Sequence, residues 1–125
     1  MVGGELHNSS SSCLDYFARS LDAAASLGVN TILAPVSWQQ FERREGEYDF
    51  SLTDGMLKEL RCRNLKWIPL WFGSWKNGAS SYAPGWVKRD VRRFPRVRNA
   101  EGEELETLDK SGSKLNGATF AGGIS

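Results

Sequence analysis

Two uninterrupted apolar stretches, Asn30-Thr-Ile-Leu-Ala-Pro-Val-Ser-Trp38 and Lys66 to Phe72, restrict what this chain can fold into more than any other feature. Neither alternates apolar with polar residues, so each reads as a strand buried on both faces, the habit of a parallel sheet covered by helices. Parallel neighbours cannot be joined by a tight turn; the connection must be long enough to hold a helix. The chain supplies such connections. Leu14, Phe17, Leu21, Ala24 and Ala25 recur at helical spacing, with Asp15, Arg19 and Asp22 on the opposite face. Ser11 or Ser12 can cap that helix, and Gly28 can end it in a left-handed turn. Met56, Leu57 and Leu60 give a second helix its apolar face. Ser51 with Asp54 three residues on resembles a capping box at its start, and Asn64 can end it. Residues 2–6 add a short apolar run ahead of both helices. Strand, helix, strand, helix, strand, at roughly 30 residues per unit, is the βαβ pattern of the α/β class, with right-handed crossovers. Pro35 cannot donate a ladder hydrogen bond, so it fits a strand end near a site better than a strand centre.

The chain then changes character. Residues 39–50 are a polar excursion, and Phe72 leads into the loop Gly73-Ser-Trp-Lys-Asn-Gly-Ala-Ser-Ser-Tyr82. A short helix starts near Pro84, which suits a first-turn position, and carries Trp86 and Val87. Residues 88–98 hold six bases and one acid, whereas 99–109 hold five acids and no base. From Lys110 to Ser125 the chain is rich in Gly and Ser, with Leu115, Phe120 and Ile124 as its large apolar residues. Residues 1–98 therefore read as one folded part and 99–125 as a divergent, poorly ordered tail.

Composition closes off several function classes. A chain of 125 residues that is 40% hydrophobic can build a core, and a net charge of +1 argues against a general binder of polyanions. The basic run from Lys88 to Arg98 reads as a solvated face countered by the acidic run after it, so nucleic acid is not expected as a partner. The longest apolar run, Trp67 to Phe72, falls far short of the roughly 20 residues that span a bilayer. Met1 to His7 lacks the charged and apolar regions of a secretory signal, so neither a membrane partner nor a leader is expected. Cys13 and Cys62 sit in helix-like stretches without CxxC spacing and read as buried free thiols. With one His and unclustered cysteines, no metal site is expected. No P-loop, GxGxxG or Ser-His-Asp constellation occurs, so no cofactor is expected either. Asn8-Ser9-Ser10 matches a glycosylation acceptor, a short match with no secretion signal beside it.

Ligands of parallel α/β structures bind at the carboxyl ends of the strands. Three such ends are visible: Glu5-Leu-His-Asn8, Ser37-Trp38-Gln39 and Gly73-Ser-Trp75-Lys-Asn77. Each offers an aromatic ring, a hydrogen-bonding amide or imidazole, or both. That mixture suits a sugar, whose C–H face packs on a ring while its hydroxyls need paired donors and acceptors. The plainer alternative for each Trp is ordinary packing, and for His7 a hydrogen-bonded structural role.

Taken in order, the motifs Gly3-Gly-Glu-Leu-His-Asn-Ser-Ser10, Pro35-Val-Ser-Trp38, Glu45-Gly-Glu-Tyr-Asp-Phe50 and Leu70-Trp-Phe-Gly-Ser-Trp-Lys-Asn-Gly78, followed by Ser81-Tyr-Ala-Pro84, resemble the first three βα units of β-galactosidase-type glycoside hydrolases of families 35 and 42. The resemblance covers roughly residues 2–97 and implies a (β/α)8 barrel, incomplete here because such a barrel needs about 250 residues. It implies that His7 and Asn8 line the sugar subsite, that Trp38 forms its floor or wall, and that Trp75 and Asn77 lie near the non-reducing sugar. The implied partner is a β-galactoside or a galactose-containing oligosaccharide. Glu5 points into the barrel or toward the site, with a buried supporting carboxylate as the alternative. Glu42, Glu45 and Glu47 are expected to be solvent-exposed rather than catalytic.

The departure from the family's pattern matters as much. Retaining glycosidases use two carboxylates about 5 Å apart. In this family they resemble an Asn-Glu pair after the fourth strand and a Glu after the seventh. No Asn-Glu dipeptide occurs in this chain, so no catalytic residue is assigned and the chain alone is expected to be inactive. An open sheet edge is expected as well, since three strands cannot close a barrel. The alternative is a non-catalytic sugar-binding or interaction module. Calorimetry with galactose and xyloglucan-type oligosaccharides separates the two, because a bare fragment should give no measurable heat.

Overall fold

The computed structural model describes residues 1–74, 81–96 and 98–104. Along the chain the elements are β1 (Gly3–Glu5), α1 (Leu14–Ser26), β2 (Thr31–Ser37), α2 (Trp38–Phe41), α3 (Ser51–Cys62), β3 (Lys66–Phe72) and α4 (Gly85–Arg89). Among the described residues the strands form one sheet in the order β1-β2-β3. β1 runs parallel to β2, with Gly3 opposite Thr31 and Glu5 opposite Leu33. β3 starts level with β2, because the Lys66 N–H donates to the Asn30 carbonyl at 3.0 Å. This is the α/β arrangement the sequence predicts, with α2 as an extra helical turn inside the expected polar excursion. The chain divides into two compact units: Met1–Val36 with Asp49–Trp71, and Ser37–Tyr48 with the described residues from Phe72 onward. Residues 1–98, expected as one part, are thus shared between two, and the segments that follow β2 and β3 fall in the second.

The first unit is built on one apolar layer. Phe17 and Leu21 of α1, Met56 and Leu60 of α3, and Ile32 and Ala34 of β2 are at most 1% exposed and form a single cluster. The i, i+4 spacing of each helical pair puts both side chains on one face. Burying large side chains of this kind contributes roughly 1.5–3 kcal/mol each. Leu65 and Trp67 pack against the cluster, and the Trp67 indole donates to the Ala34 carbonyl at 3.2 Å. Strand alternation therefore places Ile68 on the opposite face of the sheet.

That face is open. Ile68 and Trp71, one on each face of β3, are 42% and 52% exposed. The expectation that β3 is covered on both faces is corrected here: it is the edge strand among the described residues, and its apolar run has less to cover it than β2 has. Pro69 fits this position. Lys66 N–H and Ile68 N–H point toward β2, so the nitrogen that lacks a proton points to the outer edge, where no ladder bond is lost. Pro35 is tolerated inside β2 for a related reason. Leu33 turns its carbonyl toward β1 to accept the Leu6 N–H at 2.9 Å, and Pro35 faces the same side, beyond the last β1 pairing at Glu5.

The helix ends follow the sequence at one terminus and depart from it at the other. Gly28 (φ 76°) and Asn64 (φ 54°) take the left-handed conformation after α1 and α3, as expected. The N-caps are Cys13 and Phe50, neither with a side-chain bond, instead of Ser11 or Ser12 and Ser51. The Ser12 hydroxyl donates instead to the Ser9 carbonyl at 2.6 Å, and the Ser51 N–H donates to Asp49 Oδ1 at 2.9 Å. Pro84 is the N-cap of α4, one position before the first turn. Cys13 and Cys62 are both exposed, which corrects their reading as buried thiols: each sits at the end of a helix, where solvent reaches it. Of the expected tail, residues 99–104 contain a tight turn with Gly102 at φ 84° and an Arg98–Glu104 bridge; the remainder lies outside the described residues.

Two helix-to-helix details are testable. A Cβ at Gly55 would come within 2.5 Å of Leu14 Cδ1, the far end of an exposed α1 side chain that can turn aside. Alanine gains about 1 kcal/mol of helix propensity over glycine, whereas overpacking costs about 1–3 kcal/mol. Because the Leu14 side chain can move toward solvent, the propensity gain decides the sign: Gly55→Ala is expected to stabilise the chain by up to about 1 kcal/mol, measured by urea unfolding. The second detail is Arg63 Nε, which donates to Asp22 Oδ1 at 2.7 Å and ties α3 to α1. That hydrogen bond holds the Asp22 carboxyl below its ordinary value. The unfolded chain then binds more protons than the folded one, so this contribution is present above the unfolded pKa of about 3.9 and is lost as pH falls through the lowered folded value. Urea midpoints of Asp22→Asn are expected to fall less steeply below about pH 4 than those of the parent chain.

Candidate functional site

β2 ends at Ser37, and Trp38, the next residue, opens the single turn of α2. Within that turn the Glu42 N–H donates to the Trp38 carbonyl at 2.9 Å. The i, i+4 spacing brings the Glu42 side chain beneath the indole. Trp38 Nε1 donates to Glu42 Oε2 at 2.7 Å, and Glu42 Oε1 accepts the Gly46 N–H at 2.8 Å. Gly46 stands at φ 77°, a conformation that lets the chain turn back over the carboxylate. One carboxylate therefore serves an aromatic ring and a backbone turn together. Glu42 is only 9% exposed, which corrects the expectation that it would be solvated. Both of its oxygens have found protein donors in place of water.

A second indole joins from α4. Trp86 Nε1 donates to the Glu42 carbonyl at 3.1 Å. The Trp38 and Trp86 rings meet edge to face at 5.8 Å and 89°, and Trp86 meets Phe94 at 5.7 Å and 72°. Ala83 and Val87 are buried beneath these rings. The Gln39 N–H donates to the Tyr82 carbonyl at 2.8 Å, and the Tyr82 ring lies 4.8 Å from that of Phe72, the last residue of β3. The outer shell of this unit is charged. Arg93 Nη1 donates to Glu45 Oε2 at 3.1 Å and holds the Glu45 carboxyl below its ordinary range. Burial, and after it the charge of Arg96, pushes the Lys88 amine down; its Nζ donates to the Ser81 carbonyl at 3.2 Å.

The residues past β1 belong to the first unit. His7 is exposed and Asn8 half-buried. The Ser9 N–H donates to His7 Nδ1 at 3.4 Å, and the Ser9 hydroxyl stands 2.9 Å from the same nitrogen. Nδ1 is therefore an acceptor, which assigns the ring proton of neutral His7 to Nε2. Glu5 is exposed, against the alternative of a buried supporting carboxylate. Of the sequence-predicted residues, His7 and Asn8 fall together in the first unit and Trp38 in the second; Trp75 and Asn77 lie outside the described residues. Sequence reasoning missed Glu42 and the pairing of Trp86 with Trp38. The signal available for the first was the four-residue step from Trp38 to Glu42. Nothing local announces the second, because 48 positions separate the two rings. Among the described residues no three His, Cys, Asp or Glu side chains gather as metal ligands would, and no helix is long and apolar enough to cross a membrane.

No protein-family model and no curated protein matches the chain. Solved structures do. An exo-beta-1,4-mannosidase from Opitutaceae bacterium strain TAV5 matches with a TM-score of 0.56 and 30% sequence identity over 68% of this chain. The chain covers 17% of that enzyme's length. The likeness is thus to part of a glycoside hydrolase, in agreement with the class the ordered motifs resemble, while a β-galactosidase is not what the comparison returned.

The indole bonding of the second unit predicts an order of sensitivity. Trp86→Phe keeps a ring but loses the bond to the Glu42 carbonyl, at an expected cost of about 1 kcal/mol. Trp86→Ala removes the ring against which both Trp38 and Phe94 pack and should cost about 3–5 kcal/mol. Near-ultraviolet circular dichroism through a denaturant titration reads both.

Proposed function

We propose that this chain forms the first βα units of the (β/α)8 barrel of a retaining glycoside hydrolase and supplies part of its sugar subsite. The observation that carries the reading is placement: His7 and Asn8 follow the carboxyl end of β1, and Trp38 follows that of the adjacent β2. Strand carboxyl ends are where such barrels keep their chemistry. The likeness to part of an exo-beta-1,4-mannosidase supports the same class. The substrate is a β-linked hexoside. The ordered motifs favour a β-galactoside, and the solved neighbour brings in a β-mannoside as its rival. Either sugar has a C–H face that can lie on an indole.

Six described carboxylates of the second unit have partners: Glu42 holds Trp38 and Gly46, Glu45 and Asp90 pair with Arg93, Glu47 with Arg44, Glu103 with Asn99 and Glu104 with Arg98; Glu101 is exposed. Retaining hydrolysis needs two carboxylates about 5 Å apart, and the Asn-Glu dipeptide that the resemblance implies for one of them does not occur in this sequence. The purified 125-residue chain is therefore expected to turn over neither an aryl β-galactoside nor an aryl β-mannoside above blank. An incomplete subsite should still bind sugar with a Kd on the order of millimolar or weaker, too weak for calorimetric heat but visible by NMR titration. Lactose or β-1,4-mannobiose should shift the Trp38 indole resonance. Turnover of either aryl glycoside would overturn the absence of the pair; an indole resonance unmoved by both sugars would overturn the subsite.

A further inference from the structure

We infer that Glu42 is a positioning residue that makes Trp38 a face-only platform: its carboxylate takes the indole N–H, so the ring can offer a ligand its π-face but no hydrogen bond. This rests on the reading of Trp38 as a subsite residue and adds how that residue recognises its ligand. Four observations converge on it. Trp38 Nε1 donates to Glu42 Oε2 at 2.7 Å, a charge-assisted bond of short length. The second carboxylate oxygen is fixed by the Gly46 N–H at 2.8 Å, so the side chain cannot swing away without orphaning a backbone donor. The Glu42 carbonyl is engaged by Trp86 Nε1 at 3.1 Å, which anchors the same residue from its main chain. The edge-to-face contact of Trp86 at 5.8 Å then limits how the Trp38 ring can tilt.

The chemistry of Glu explains why no near substitute does this. A carboxylate accepts at both oxygens, as these two donors require, whereas a Gln amide accepts at one atom and donates at the other. Glu42→Gln would set its NH2 group against one of the two N–H groups, and the indole, which can rotate on its side chain while the Gly46 N–H is fixed in its turn, is the one that yields. Asp has both acceptors but is one methylene shorter, so it can hold the turn or the ring but not both. The ligand consequence is specific. Recognition by Trp38 selects a pyranose by the C–H surface it presents, and discrimination between hydroxyl orientations must come from other groups.

The test uses the full chain with 15N-labelled tryptophan. Glu42→Gln should raise the solvent-exchange rate of the Trp38 indole proton at least tenfold, while the Trp67 indole proton, bonded to Ala34 in the first unit, keeps its position and rate. In a β-1,4-mannobiose titration, Glu42→Gln should weaken binding about five- to tenfold in the parent chain and less than twofold in a Trp38→Phe background, where no indole N–H exists to be held. A Trp38 indole proton unchanged by Glu42→Gln overturns the inference, as does an equal loss of affinity in both backgrounds. If the Trp67 resonance shows that Glu42→Gln does not fold, Glu42→Asp takes its place with the same two expectations. If the parent chain shows no mannobiose response, the subsite reading fails, and the indole exchange rate still decides whether Glu42 holds the ring.

Discussion

Ile32 and Ala34 have to be kept dry, and the first unit follows from that requirement. A strand whose inner face is apolar over its whole length needs a layer of helix on it. α1 and α3 supply that layer through Phe17, Leu21, Met56 and Leu60. Because both helices lie between successive parallel strands, covering β2 also fixes the order β1-β2-β3 and aligns the strand starts. Gly55 of α3 faces Leu14 of α1, and the Arg63–Asp22 bond fastens the rim of the layer. The carboxyl ends of the strands inherit their positions from this packing.

The second unit solves a different problem. It has few large aliphatic side chains, and its buried cluster leans on Trp38, Trp86 and Phe94 around two small residues, Ala83 and Val87. An indole buries well only if its N–H is satisfied. Glu42 answers for both rings, with its carboxylate to one and its carbonyl to the other. A carboxylate that the sequence led us to expect in solvent is thus absorbed by packing. The same bonding orients a ring that stands at a strand's carboxyl end.

Much of the architecture was legible in the residues themselves. The helix apolar faces, the left-handed stops at Gly28 and Asn64 and the strand cores all depend on spacing along the chain, and spacing is local. The helix starts were less legible, because serines at 11, 12 and 51 could cap in principle, but the Ser12 hydroxyl and the Ser51 amide bond to neighbouring groups and Ser11 Oγ is buried without a bond to the helix start. The cover on β3 was illegible in kind. A continuous apolar run shows that a strand can be buried on both faces, but whether neighbours are there to bury it is a property of the sheet. Exposure of Ile68 and Trp71 is the result. The cysteines failed for the same reason: residue type gives a tendency to be buried, and position at a helix end decided against it.

The sequence by itself determined the α/β class, the parallel order of elements and the strand-end location of His7, Asn8 and Trp38, since each is set by periodicity and connectivity. Only the tertiary structure decided that Glu42 is a buried partner of Trp38 and not a solvated acid, and that Trp86 reaches back across 44 positions to the same residue. The physical reason is the satisfaction of buried polar groups. An indole N–H must find an acceptor once water is gone. Which acceptor it finds depends on what the folded chain brings within about 3 Å, a distance that spacing in the sequence does not encode.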